Sequence, residues 1–227
     1  EKISMVEFLD RCKNDPQTFA GVHGRLLRAI GKANMVDTQK DDRLGRIFDN
    51  RTIRMYPTFS DFYGIENVVE EIVSFLDRGS KGGEAAKQIL YLLGPVGGGK
   101  SSLAERVKEL FEKIPFYALV DQTGKTSPIF ENPLGLFCEP EQRAMLADEF
   151  KVDPRFVPVI RSRWVQNRLD KYGNDPTQFS VIKLYPSIVD QVGISQTSPA
   201  DENTQDVSVL VGKTDIRVLD QLALLGF

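Results

Sequence analysis

The chain has 227 residues, of which 41% are apolar, so it can build a hydrophobic core in one or two domains. Its 29 basic and 32 acidic side chains give a net charge of −3, which favours neither a nucleic-acid partner nor a disordered acidic chain. No apolar run approaches the ~20 residues of a membrane span. Two distant cysteines, Cys12 and Cys138, suit free thiols in a reducing cytoplasm, and the single histidine, His23, excludes a metal site built from several histidines. We therefore expect a cytoplasmic protein with no membrane partner.

Residues 1–58 are predicted to form a small helical N-terminal region. Ser4 and Glu7 have the spacing of a capping box, which marks the start of a helix. Asp15–Pro16 predicts a second start, and the apolar residues that follow recur with helical spacing up to Gly31.

Residues 59–227 are predicted to form the main domain. Ile65–Leu76 predicts an amphipathic helix, and the continuous apolar run Gln88–Leu93 predicts a strand buried on both faces of a parallel sheet. A helix over Ser101–Lys113 and a strand over Phe116–Val120 would complete a right-handed βαβ unit. The same criteria predict helices over 140–150 and 161–172, a strand over 181–185, and short apolar segments over 207–211 and 216–225.

A glycine-rich motif follows the first predicted strand of this unit. The segment from Gly94 to Ser101 matches the pattern G-x-x-x-x-G-K-S/T. Glycines allow the backbone N–H groups to turn around a phosphate, and the following helix directs its positive end at the same group. Lys100 is placed for the β- and γ-phosphates, and the Ser101 hydroxyl for Mg²⁺. The predicted nucleotide-binding residues here are Gly94, Pro95, Val96, Gly97, Gly98, Gly99, Lys100, Ser101 and Ser102.

The motif by itself leaves the subclass open. A GTPase would use Asp121–Gly124 and a later Asn-Lys-x-Asp motif, but the chain has Asn167–Asp170 in a helical pattern instead. The short span from Ser101 to Phe116 also leaves no room for a switch loop. An ATPase of the AAA type needs a strand that ends in acidic residues, and the string ending at Asp148–Glu149 is predicted to be helical. The hydrolytic carboxylates are therefore not visible.

The segment around the motif resembles the nucleotide-binding core of PrkA-type bacterial serine protein kinases. The resemblance is carried by residues 88–103, and it extends upstream to Tyr56–Pro57 and Phe62–Glu66. Downstream it includes Ser127–Pro128 and a block around Asp201–Ile216, so that it spans roughly residues 4–219.

This resemblance implies an α/β fold, namely a P-loop NTPase with an AAA-like parallel sheet flanked by helices. It also implies Mg²⁺ and ATP as cofactors, protein substrates that are phosphorylated on serine or threonine in stress or nutrient signalling, and a homo-oligomer. Two alternatives stay open: an ATP-driven protease or remodelling machine, and an ATP-sensing regulatory module. The family's acidic motif and arginine finger are expected beyond residue 219, so the chain is interpreted as a piece of a longer protein.

The resemblance also suggests where adenine would bind. In AAA modules, a short apolar segment with a glycine, placed before the helix that precedes the P-loop, lines the base. Tyr63, Gly64 and Ile65 match that description in this sequence.

Overall fold

The structure is a computed structural model and describes residues 1–196, so the predicted segments over 207–211 and 216–225 lie outside the described residues. Residues 1–186 form one compact unit, and residues 187–196 belong to a second, in which Ser187 and Val192 exchange backbone hydrogen bonds. Across the described part, no helix is long and apolar enough to cross a membrane. The helices are α1 (Met5–Asn14), α2 (Val22–Ile30), α3 (Asp42–Phe48), α4 (Glu66–Ser80), α5 (Lys100–Glu112), α6 (Pro140–Phe150) and α7 (Arg163–Lys171), and the strands are β1 (Lys2–Ser4), β2 (Asn34–Asp37), β3 (Thr52–Met55), β4 (Phe116–Val120) and β5 (Ser180–Leu184).

A three-stranded antiparallel sheet in the order β1-β5-β4 organises the larger core. Val181 on the central strand lies opposite Ile3 on one side and Leu119 on the other, and all three are buried. Helices α1, α6 and α7 add buried apolar side chains to the same core, including Phe8 and Leu146. Successive side chains of a strand point to opposite faces, so this register directs one row of apolar residues into the core.

The prediction of a parallel sheet is wrong for the described residues. The segment 88–94 has no regular secondary structure, and Ile89, Tyr91 and Leu93 are between 79% and 90% exposed. The reason lies at β4. One edge of β4 pairs with β5, and the loop that follows β4 pairs with the other edge. The N–H of Ser127 donates to the carbonyl of Leu119 at 2.9 Å, and loop residues on either side make similar bonds. With one edge on β5 and the other on this loop, β4 has no position left for the predicted strand.

The N-terminal region is only partly helical. Helix α1 begins at the predicted cap, where the Ser4 hydroxyl accepts a hydrogen bond from the N–H of Glu7 at 3.2 Å. Asp15–Pro16 starts a single 3₁₀ turn rather than a long helix, and α2 begins later and ends at Gly31 as predicted. Three strands were not foreseen here: β1 joins the larger sheet, while β2 and β3 pair with each other.

A second layer of helices carries the glycine-rich motif. Helix α2 packs against α4 and α5, and the His23 ring lies against Phe75. Arg106 on α5 holds the segment before α4, because its guanidinium donates to the Thr58 carbonyl at 2.8 Å and to Asp61 at 2.6 Å. These contacts tie the segment that precedes α4 to the middle of α5.

The remaining predicted elements are confirmed with small changes in their bounds. Helices α4, α5, α6 and α7 and strands β4 and β5 are all present at the predicted places. Asp148 and Glu149 lie on α6, as the helix-forming residues around them indicated. Both cysteines are free thiols, and Cys12 is buried.

Candidate functional site: the glycine-rich loop before α5

The loop before α5 needs glycine at three consecutive positions. Gly97 and Gly99 have φ angles of 79° and 75°, in the left-handed region that other residues rarely adopt. Between them, the N–H of Gly98 donates to the carbonyl of Pro95 at 3.2 Å. A Cβ atom at residue 98 would lie 3.1 Å from the same oxygen. The glycines thus allow a tight turn whose concave side is formed by the backbone.

Lys100 begins α5 and folds back over this turn. Its Nζ atom lies 2.7 Å from the carbonyl oxygen of Gly94 and 2.6 Å from that of Pro95. No side chain caps the N-terminus of α5, which starts directly after Gly99. Its first N–H groups and the positive end of the helix dipole are therefore available to an anion. Ser101 is exposed in this first turn.

A cavity of about 1000 Å³ lies between this loop and α4. Gly94, Pro95, Gly98 and Lys100 line it, and so does Ile65, one of the three residues predicted to contact adenine. The structure thereby brings together two segments of the sequence that were predicted to serve one nucleotide.

The other predicted residues are neighbours in sequence of the residues that line this cavity, but they do not line it themselves. Tyr63 is 75% exposed, and neither it nor Gly64 is among the residues lining the cavity. Gly64 has a φ angle of 80° and turns the chain into α4. Val96 is fully exposed at the tip of the loop. Gly97, Gly99, Ser101 and Ser102 flank the cavity in sequence without lining it.

Sequence reasoning missed several charged residues that line the same cavity. Arg51 and Arg78 contribute two positive charges besides Lys100, whereas Glu70 and Glu71 contribute two negative charges. Glu70 is engaged by Arg54, whose Nη1 atom is 3.1 Å away. No local motif marks Arg51 or Arg78: Arg78 lies on α4, and Arg51 directly precedes β3, which packs against α4.

The candidate GTPase motif has a structural role in this fold. Asp121 is 2% exposed, and one carboxylate oxygen accepts hydrogen bonds from Thr123 and from the N–H of Lys125. Its other oxygen accepts from Arg168 Nε at 2.7 Å. Burial by itself would raise the pKa of Asp121, but the hydrogen bonds from Thr123 and Arg168 lower it to about 2. The motif's second half, Asn167–Asp170, lies within α7. These carboxylate oxygens are engaged by the turn and by Arg168.

Within residues 1–196, no group of three or more His, Cys, Asp or Glu side chains could hold a metal ion.

A glycine-rich turn that leads into an uncapped helix with lysine as its first residue is typical of P-loop nucleotide-binding proteins. The chain belongs to the family of PrkA AAA domains, whose model matches residues 3–224. AAA domains are P-loop NTPases, and the mixed α/β structure agrees with that class.

Curated relatives agree with this assignment. The chain is 48% identical, over 223 residues, to a protein named serine/threonine kinase YeaG from Escherichia coli strain K12; the match covers 98% of this chain and 34% of that protein. It is 28% identical over 224 residues to a protein named ATP-dependent protease PrkA from Bacillus subtilis, with 95% of this chain and 32% of that protein covered. The chain thus spans about a third of the length of these relatives. No solved structure matches it.

Proposed function

We propose that this chain binds ATP with Mg²⁺ at the glycine-rich loop. The observation that carries the proposal is the Lys100 amine, held over the turn by two backbone carbonyls at the uncapped start of α5. In this proposal, N–H groups of Gly97, Gly98 and Gly99 surround the phosphates. The Lys100 ammonium group binds the β- and γ-phosphates by moving from the carbonyls to the phosphate oxygens, and the Ser101 hydroxyl binds Mg²⁺.

The adenine is proposed to lie against Ile65. This side chain lines the cavity together with the phosphate loop, whereas Tyr63 and Gly64 are placed just before it in the chain. An exposed tyrosine beside a nucleotide cavity can cover one face of the base, and Gly64 permits the turn that sets its direction. We therefore assign Ile65 as the apolar contact of the adenine, Tyr63 as the ring that can cover the base, and Gly64 as the residue that permits the turn between them.

For the whole protein we propose serine/threonine phosphorylation in stress or nutrient signalling. The name of the Escherichia coli relative, at 48% identity, supports this activity. The name of the Bacillus subtilis relative supports the alternative, an ATP-driven protease or remodelling machine. Both would act on protein substrates in the cytoplasm, and a homo-oligomer would let AAA modules complete their sites between neighbouring copies. The third candidate, an ATP-sensing regulatory module, stays open because the sequence shows the nucleotide-binding motif without a recognisable hydrolytic acidic motif.

Titration of the chain with ATP and Mg²⁺ in a calorimeter tests the binding proposal. Lys100→Ala removes charge-assisted hydrogen bonds to phosphate, so we expect a loss of affinity of at least roughly tenfold. Lys87→Ala is the matched control, because Lys87 is an exposed lysine that pairs with Glu84 at 2.8 Å outside the cavity. Unchanged affinity in Lys100→Ala, or equal losses in both variants, would show that the phosphate loop is wrongly assigned.

The activity is tested with the full-length protein that contains this chain. Casein and ATP labelled at the γ-phosphate are incubated with it, and both labelled casein and released peptides are measured. Labelled casein supports the kinase, and ATP-dependent peptide release supports the protease. ATP binding with neither product would contradict both enzymatic proposals and favour the sensing module. The Lys100→Ala variant of the full-length protein serves as the control for contaminating enzymes.

A further inference from the structure

Arg25, in the middle of α2, is a buried cation with no acidic partner in the described part of the chain. Its exposed fraction is 9%, and its Nε atom has no hydrogen-bond partner. Its Nη1 atom makes one long contact, 3.5 Å, to the carbonyl oxygen of Pro115. No carboxylate within residues 1–196 forms an ion pair with it. Buried charges in proteins are normally paired, since an unpaired charge keeps the full cost of its lost hydration.

Two aromatic rings offset part of this cost. The guanidinium carbon lies 5.0 Å from the ring centre of Phe111 and 5.5 Å from that of Phe116. Such contacts stabilise a cation, but they leave N–H donors of the guanidinium without acceptors. Burial also lowers the pKa of Arg25 to about 10, so the group still carries its charge at neutral pH. The Arg25 guanidinium is therefore a charged group whose Nε–H donor lacks a hydrogen-bond acceptor.

Arg25 lines a cavity of about 180 Å³ at the start of α2, which we name the Arg25 pocket. Gly21, the residue at the N-cap, and Val22, the first residue of that nine-residue helix, also line it, and no side chain caps this N-terminus. The helix dipole thus adds partial positive charge to that of Arg25. Thr18 contributes a hydroxyl, and Asn132 contributes its amide group, whose oxygen is already engaged by the N–H of Leu134 at 2.9 Å.

Further cations lie beside this pocket. An adjoining cavity of about 460 Å³ shares Thr18 and Tyr117 with it and is lined by Arg28, Lys113 and Lys183. Asp15 is the acidic residue of that lining, and it is paired with Arg28 at 3.3 Å. The excess of positive charge favours the approach of an anion to this side of the molecule.

We propose that the Arg25 pocket binds a phosphate-type oxyanion, at a site separate from the glycine-rich loop. Arg25 contacts α5 at Phe111, eleven residues along the helix from Lys100, which corresponds to roughly 16 Å of helix. A tetrahedral anion offers enough acceptors for the guanidinium, the helix N–H groups and the Thr18 hydroxyl at once. The pocket volume suits a free phosphate or the phosphate of a modified side chain and is too small for a nucleotide.

The test is a calorimetric titration of the chain with inorganic phosphate at constant ionic strength. Phosphate also suits the glycine-rich loop, so every titration uses the Lys100→Ala background. Gly21→Asp and Gly21→Asn form the matched pair: residue 21 has extended backbone, an added Cβ meets nothing within 4 Å, and the two side chains have nearly the same size while only aspartate is charged. We expect Gly21→Asp to weaken phosphate binding roughly tenfold or more and Gly21→Asn by less than about threefold, because only the carboxylate repels the anion.

Arg25→Met is the second variant. It removes the charge and keeps a long apolar side chain between the two rings, so the chain should stay folded by circular dichroism and lose phosphate binding. A parallel titration with O-phosphoserine identifies the source: tighter binding indicates a phosphorylated side chain, and equal or weaker binding indicates free phosphate. No binding of either probe at millimolar concentration, or equal binding by the two Gly21 variants, would overturn the proposal.

Discussion

Replacing Asp121 with asparagine isolates the charge of a buried carboxylate from its hydrogen bonds. Asparagine keeps an oxygen that can accept from Thr123 and Lys125, but it loses the ion pair with Arg168 at 2.7 Å. The pKa of Asp121 lies at about 2, against an ordinary value of 3.8. A difference of this size corresponds to about 2 kcal/mol of folding free energy at neutral pH. We therefore expect Asp121→Asn to lower the free energy of unfolding by about 2 kcal/mol at pH 7.

The sign of the pH dependence follows from the lowered pKa. A carboxyl whose pKa falls on folding stabilises the folded state above its unfolded pKa, and that stabilisation is lost as pH falls through the folded pKa. The gap between the native chain and Asp121→Asn should thus be constant above about pH 5 and narrow to less than about 1 kcal/mol at pH 2. Urea unfolding followed by tryptophan fluorescence measures it, since Trp164 lies against Arg168. A gap that does not change with pH would refute the electrostatic explanation.

Asp175→Asn is the matched control for this experiment. Asp175 also accepts from the N–H and the hydroxyl of a threonine two residues later, Thr177, but it has no arginine partner among the ion pairs described. Hydrogen bonds from Gln178 and Thr177 lower its pKa as well. We expect Asp175→Asn to destabilise the chain less than Asp121→Asn does at pH 7. Equal losses would show that the turn geometry, and not the buried ion pair, sets the stability.

Two further predictions concern packing and thiol accessibility. Gly79→Ala should lower the free energy of unfolding by about 1–3 kcal/mol in urea, because the new Cβ would overlap the His23 ring. An unchanged free energy of unfolding would mean that α2 and α4 are not packed as described. Gly21→Ala is the control, because a Cβ there meets nothing within 4 Å. Cys138 should react with a maleimide at pH 8 in the folded chain while Cys12 does not, because Cys12 is buried and burial raises its pKa to about 12. Mass spectrometry of the labelled peptides reads the difference, and equal labelling of both in the folded state would contradict it.

Local signals in the sequence predicted most of the elements around the candidate site. The cap at Ser4, the stop at Gly31 and the apolar period of α4 act within one or two helical turns, so each can be read without knowing the rest of the chain. The glycine-rich loop belongs to this group too. The φ angles of Gly97 and Gly99 are those for which glycine is needed, and the helix after them starts where the motif placed it.

The sheet could not be predicted in the same way, because strand pairing joins distant segments. An apolar run such as 88–93 can form a strand only if a neighbour offers free backbone groups, and here β5 and the loop after β4 already pair with both edges of β4. The three strands within residues 1–58 were missed for the same reason. The strand β1 is three residues long and is recognised only through its pairing with β5.

The sequence by itself therefore determined the phosphate-loop motif, its helix and the family to which the chain is similar, because these depend on neighbouring residues. The tertiary structure decided which residues meet. It placed Ile65 beside the loop, added Arg51 and Arg78 to the same cavity, and buried Arg25 with no ion-pair partner among residues 1–196. Such groupings arise from the packing of helices that lie far apart in the chain, and no spacing along the sequence encodes them.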